Sequence, residues 1–160
     1  MACRRAAARV VDGEAGWSGV SAAEVLAELN ARIDTIEEAY EFFLAYASQG
    51  LPSDHGSDTG RQAREYLKRC DGALTAFGDF LNGFIDRLGV GDPAPYRAFI
   101  DVIDADARHA QAAIRLVIAQ PSISSQVVDN LNASIHLRAL LTDLFLIDEV
   151  LKQQQRNTTT

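Results

Sequence analysis

Two small groups of side chains in this sequence have the types and spacing to bind a metal ion. Asp106 and His109 stand three residues apart, which places both on one face of a helix. The second group, Asp54, His55 and Asp58, lies in a loop rich in Gly, Ser and Asp. Carboxylates and imidazoles both bind divalent metals. Both groups are therefore candidate metal ligands, although turn formation and helix capping account for the loop residues without any ligand.

His136 is a single imidazole with a different possible chemistry. It is followed by Leu137 and Arg138, and this apolar and basic neighbourhood resembles in part that of histidine phosphotransfer domains, which are also four-helix bundles. The spacing differs by one residue and the closely packed Gly of such sites is missing. The resemblance implies phosphotransfer at His136 as a third alternative, while a position on a helix flank explains the same residue without chemistry.

Nucleophilic catalysis and nucleotide binding find little support in the sequence. Cys70 falls on an apolar helical stripe, where a small buried side chain is expected. No strand, turn and helix surround a serine in the manner of a nucleophile elbow. The segment from Gly56 to Gly60 lacks the lysine of a phosphate-binding loop. The sequence therefore favours a protein that is not an enzyme and that needs no cofactor.

Four segments with apolar residues at alternating steps of four and three must position these side chains. They run from Ala22 to Ala47, from Ala63 to Leu88, from Tyr96 to Val117 and from Ala133 to Leu151. A period of 3.5 residues predicts packed helices, and short connections between them predict antiparallel neighbours. We expect an all-α protein, an antiparallel up-down-up-down four-helix bundle with long helices. It comprises a flexible leader (1–19), the bundle (20–152) and a disordered tail (153–160).

Several helix ends carry recognisable capping residues. Ser21 and Glu24 have the spacing of a capping box, so the first helix is predicted to begin there and to end near Ser48. Asp92 is the expected cap of the third helix, and Ser122 that of the fourth.

The four apolar stripes contain no Asp, Glu or His, which argues against an inward-facing metal centre. Ferritin-like bundles hold two metal ions with inward carboxylates and Glu-x-x-His steps on two helices, and no Glu-x-x-His occurs in this chain. Asp106 and His109 lie instead on the flank of a stripe. A ferritin-like or other metal-binding bundle that uses flank carboxylates with His109 is therefore the alternative function.

The fourth helix carries a second apolar stripe, formed by Val127, Leu131, Leu141 and Phe145. A helix that touches two neighbours needs a broad apolar face, which is one explanation. An outward stripe that is buried against another chain is the other. We therefore expect a non-enzymatic protein that acts through protein contacts, as a homodimer or with another protein.

Composition and charge limit the classes of binding partner that the protein is expected to have. The chain has 160 residues, is 48% hydrophobic and carries a formal net charge of -7. Nucleic acids and anionic membrane surfaces attract clustered Lys and Arg, so neither is expected as a partner. Two cysteines without a spaced framework indicate a reducing, cytoplasmic location. An organelle-targeting role for the arginine-rich first residues is the alternative to a flexible leader.

Overall fold

Between residues 19 and 158 the regular structure of the protein is entirely helical. The structure, a computed structural model, describes residues 19–158, so that the predicted leader lies outside the described residues except for Gly19. All-α is therefore confirmed for the described part of the chain. Six helices follow one another: α1 (Ala22–Ser48), α2 (Asp58–Leu74), α3 (Phe77–Leu88), α4 (Ala94–Ile118), α5 (Ser125–Ala133) and α6 (Ile135–Thr158).

The first helix has the ends that its sequence predicts. The Ser21 hydroxyl accepts a hydrogen bond from the Glu24 amide, and the Glu24 carboxylate accepts one from the Ser21 amide at 2.7 Å. This capping box satisfies two amides that the first turn leaves unpaired. The helix ends at Ser48, and Gly50 follows with a φ of 64°, a conformation that glycine adopts without steric cost.

The segment predicted as the second helix consists of two helices. The chain leaves the helical conformation at Thr75 and Ala76, where Ala76 has a left-handed φ of 51°. The expectation of one continuous helix from Ala63 to Leu88 is therefore wrong. The apolar spacing continues across the break, with Leu74 and Phe77 both buried, so the periodicity contains no sign of it.

The segment predicted as the fourth helix is also divided, at Ser134, into α5 and α6. Ser124 caps α5 by accepting a hydrogen bond from the Val127 amide, two residues later than predicted. The helix α6 continues to Thr158. The tail that was predicted to be disordered from residue 153 is therefore helical as far as the structure describes it.

The helices pack around one apolar core. The helix α1 lies against α2, α3 and α5, and α4 lies against α2, α3, α5 and α6. Cys70 is fully buried, as expected, and burial raises the pKa of its thiol to about 12, which leaves it unreactive. The buried side chains on the predicted stripes include Leu29, Ile33, Ile36, Phe43, Leu67, Phe77, Phe84, Ile100, Ile103, Ala107, Ile114, Leu137, Leu140, Leu144 and Ile147.

The helices α3 and α4 approach each other closely at Gly78. A Cβ atom at this position would lie 2.5 Å from the Asp104 carboxylate. A glycine there costs helix propensity, and the close contact explains why a larger residue would not fit. Separately, none of the helices between residues 19 and 158 is long and apolar enough to cross a membrane.

Candidate functional site

The packing of α4 against α6 brings together Asp106, His109 and His136. One ligand atom from each residue lies within 4.8 Å of those of the other two. The ring centroids of the two histidines are 4.6 Å apart, and Nδ1 of His136 lies 4.0 Å from Oδ1 of Asp106. The sequence suggested a pair of metal ligands on one helix and, separately, a single reactive imidazole on another. The structure places all three side chains at one site between α4 and α6.

Small side chains on α4 allow this approach. Asp106 and His109 lie one helical turn apart, and the neighbouring Ala107 and Ala110 are buried in the core. Their short side chains let the α6 backbone come close. The three polar residues therefore lie at the edge of the helix interface, between the apolar core and the solvent.

The cluster is open to solvent on one side. His109 is exposed, while Asp106 and His136 are partly buried. A ligand set of this kind has free imidazole nitrogen atoms that water or an ion can reach from outside. The arrangement differs from the inward-facing centre of a ferritin-like bundle, because the core beside it is apolar.

Asp143 on α6 adds a second carboxyl group beside Asp106. Its Oδ2 atom is buried and has no hydrogen-bond partner among the residues that the structure describes. Burial, a hydrogen bond with Asp106 and the charge of that residue raise the pKa of the Asp143 carboxyl to about 6. Two adjacent carboxyl groups beside two imidazoles favour the presence of a cation, either a proton or a metal ion.

The other predicted group, Asp54, His55 and Asp58, does not converge on a common point. The buried Asp54 carboxylate pairs with Arg64 and accepts a hydrogen bond from the Ile123 amide at 2.6 Å. The His55 ring is hydrogen-bonded to the Pro121 carbonyl at 2.7 Å, and the exposed Asp58 pairs with its neighbour Arg61. Each of the three groups therefore has a partner of its own within the chain.

Arg64 is a structural residue that sequence reasoning missed. Its guanidinium donates to the carbonyls of Ile118 at 3.1 Å and Gln120 at 2.8 Å, where α4 ends. Helix carbonyls at this end have no partners within the helix, and a cation there is favourable. No local signal in the sequence points to this contact, because Arg64 is on α2 and its acceptors lie at and just beyond the end of α4.

The predicted interface stripe of the fourth helix is only partly exposed. Leu131 and Leu141 are 5% and 7% exposed, and Val127 is partly buried. Phe145 alone of the four is an exposed side chain, at 57%, and its neighbour Leu146 is 55% exposed. Leu131 on α5 and Leu141 on α6 thus face the core, whereas Phe145 on α6 faces outward.

The surroundings of His136 argue against phosphotransfer. The imidazole is partly exposed, but the groups nearest to it are the Asp106 carboxylate and the His109 ring. A carboxylate repels an incoming phosphoryl group. The same neighbours favour a cation.

Comparison of the chain with protein-family models, with curated proteins and with solved structures finds no match. The features of the cluster that bear on function are its ligand types, the distances between them and their access to solvent.

Proposed function

We propose that the protein is a metal-binding helical bundle in which Asp106, His109 and His136 bind one divalent transition-metal ion between α4 and α6. The observation that carries the proposal is the approach of three ligand atoms from two helices to within 4.8 Å of one another. The sequence separates these residues into two helices, so their approach requires the folded chain.

The ligand set indicates the class of metal. Two imidazoles and one carboxylate suit zinc, nickel, cobalt or iron better than calcium or magnesium, which prefer oxygen ligands. Zinc lies about 2.0–2.2 Å from such ligands, so the three side chains must move inward by rotation when the ion binds. The exposed His109 is free to do so. With three protein ligands, at least one coordination position stays open to water.

Asp143 supports the ligands in this proposal without binding the ion. The charge of Asp106 contributes to the raised pKa of Asp143, so the two carboxyl groups lie near each other. Side chains that hydrogen-bond a metal ligand orient it and adjust its affinity. A protonated Asp143 carboxyl can donate such a hydrogen bond to Asp106 and orient it toward the two histidines.

The proposal includes an antiparallel, up-down-up-down arrangement of four rods, in which α2 with α3 and α5 with α6 each form one bent rod. The contacts of α1 with α2 and α5, and of α4 with α3 and α6, support it. In this arrangement the ligands belong to neighbouring rods. We also retain the cytoplasmic location, for which the unpaired thiol of Cys70 is the support.

Titration with zinc and cobalt tests the site. The purified protein should bind one ion per chain by calorimetry, and cobalt should give visible absorption bands. His109→Ala and His136→Ala should each weaken binding at least about 10-fold, since loss of a ligand removes one metal bond. His55→Ala is the matched control, because it removes the remaining histidine of the chain and should leave binding unchanged.

Two results would contradict the proposal. One is a protein that binds neither ion. The other is undiminished binding by the double variant His109→Ala, His136→Ala with unchanged helicity, which would place the ion elsewhere.

Self-association through α6 is the second candidate function. The adjacent side chains of Phe145 and Leu146 are both more than half exposed, and clustered apolar side chains on a surface are typical of protein contacts. A second copy of the chain, or another protein, would cover them. Light scattering after gel filtration tests self-association, and a monomer at all concentrations would contradict it.

A further inference from the structure

The outer side of α6 carries a regular seam of exposed residues. Consecutive members stand alternately three and four residues apart, which is the spacing of a coiled-coil contact line. All of them are exposed, in contrast to the residues of the inner stripe of the same helix. We call this set the outer seam of α6; its members are Ile135, Arg138, Thr142, Phe145, Glu149 and Lys152.

The outer seam is self-complementary when read in opposite directions. Suppose that two copies of α6 lie antiparallel with a two-fold axis between Thr142 and Phe145. Thr142 of each copy then faces Phe145 of the other. Arg138 of one copy then faces Glu149 of the other, and this ion pair occurs twice. A two-fold interface requires such symmetry, because every contact is repeated with the partners exchanged.

We propose that the outer seam of α6 binds a second copy of this chain in antiparallel orientation, with Phe145 at the centre and the Arg138 to Glu149 ion pair on either side. This inference rests on the self-association proposed above and specifies its surface and register. The occupant is a copy of the chain because the charges on the seam complement each other across the axis.

The contacts within the single chain leave the charged pair of the seam available, although Lys152 pairs with Asp148 and the Thr142 hydroxyl donates to the Arg138 carbonyl. Apart from its backbone, Arg138 has no hydrogen-bond or ion-pair partner among residues 19–158. Glu149 pairs with the exposed Arg156 at 3.0 Å, on the same helix. Exposed pairs of this kind contribute little to stability. Glu149 can therefore exchange that partner for Arg138 of the second copy.

The central residues supply the apolar contact. Phe145 is 57% exposed in the single chain, and Leu146 beside it extends the apolar surface. In the antiparallel pair both Phe145 rings lie close to the axis and lose contact with water together. The interface is short, so a weak dimer is expected, of the kind found for interfaces below about 1,200 Å².

A charge exchange tests the register. Arg138→Glu places two acidic side chains opposite each other, and Glu149→Arg places two basic ones. Each change should raise the dimer dissociation constant at least about 10-fold, because like charges that face each other across an interface repel. The double variant with both changes recreates the ion pair in reverse and should restore the dissociation constant. Sedimentation equilibrium over a range of concentrations measures all four proteins.

Matched controls distinguish the effect of charges on the seam from the effect of a change in the protein's net charge. Asp101→Arg and Lys68→Glu make the same changes of charge at exposed positions outside the seam, and both should leave the dissociation constant unchanged. Circular dichroism should show equal helicity for every variant, because all the altered side chains are exposed.

The possible results distinguish self-association in general from self-association in this particular register. A monomer at every concentration would overturn self-association as a whole. A dimer that neither single charge change weakens would leave self-association standing and overturn the register. A dimer that both single changes weaken, and that the double change does not restore, would also overturn this pairing.

Discussion

Asp54 and Asp143 are two carboxyl groups whose folded environments shift their pKa values in opposite directions. Burial disfavours the charged form of Asp54, but hydrogen bonds from the Ile123 amide and from Arg64 outweigh it, so the pKa lies below its ordinary value. Burial of the Asp143 carboxyl, which has an oxygen without a donor among residues 19–158, and the charge of the nearby Asp106 raise its pKa to about 6. Folding therefore favours the charged form of one group and the protonated form of the other.

The sign of the pH dependence follows from linkage. A raised pKa in the folded state means that Asp143 stabilises the fold below the pKa of the unfolded chain, and that this contribution is lost as the pH rises toward and past about 6. For Asp54 the contribution is present at neutral pH and is lost on acidification.

We expect Asp143→Asn to remove the loss of stability that Asp143 causes as the pH rises. The neutral amide has almost the same shape, so in the absence of metal it should raise the free energy of unfolding at pH 7 by about 1–2 kcal/mol, a value reduced for partial exposure. At pH 4 the variant and the original protein should be equally stable. Urea unfolding at pH 4, 5, 6 and 7 measures this.

Asp129→Asn is the control for that series, since Asp129 is exposed on α5. It should leave the pH dependence of stability unchanged. An Asp143→Asn variant whose stability follows pH with the same slope as the original protein would contradict the assignment.

At the level of the helices, the division between α2 and α3 depends on the backbone at Ala76. Its φ of 51° is a left-handed conformation that costs a residue with a Cβ roughly 1–2 kcal/mol. The side chain is exposed and forms no capping hydrogen bond with α3. A glycine would adopt the same backbone angles without that cost.

Ala76→Gly should therefore raise the free energy of unfolding by about 0.5–1 kcal/mol, after allowance for the greater freedom of glycine in the unfolded chain. Ala105→Gly makes the same change at an exposed position inside α4 and should lower it by about 1 kcal/mol. Urea unfolding of both variants gives the comparison. A loss of stability on Ala76→Gly would mean that the chain does not adopt the left-handed turn there.

The same two breaks limited what periodicity could predict. Heptad spacing indicates which residues face the core, but it stays in phase when one or two residues leave the helical conformation. Leu74 and Phe77 are buried on either side of the first break, and Leu131 and Leu137 on either side of the second. Helix bounds could be predicted where a capping side chain marks them, as at Ser21, because that interaction is local.

For the whole molecule, the proposed metal site joins α4 to α6, the last helix in the part of the chain that the structure describes. An ion that binds only the folded protein stabilises it by mass action. Loss of the ion should therefore lower the free energy of unfolding of the entire domain.

We expect zinc at about 100 times its dissociation constant to stabilise the protein by about 2.7 kcal/mol, which raises the unfolding temperature by several degrees. A chelator should reverse the rise. Since each loses at least about 10-fold in affinity, His109→Ala and His136→Ala should show at most about half of this stabilisation, about 1.4 kcal/mol. His55→Ala should respond like the original protein. Differential scanning fluorimetry measures the four proteins, and an equal rise in all of them would indicate that zinc acts elsewhere.

Local interactions in the sequence determined that the chain is helical, which residues form most of its core and where α1 begins. Heptad spacing and helix capping involve residues close together in the sequence, so they can be recognised without knowledge of the fold. Only the tertiary structure decided that His136 meets Asp106 and His109, and that Leu131 and Leu141 turn inward while Phe145 stays outside. These outcomes depend on how one helix packs and is rotated against another, which interactions within a few residues do not determine.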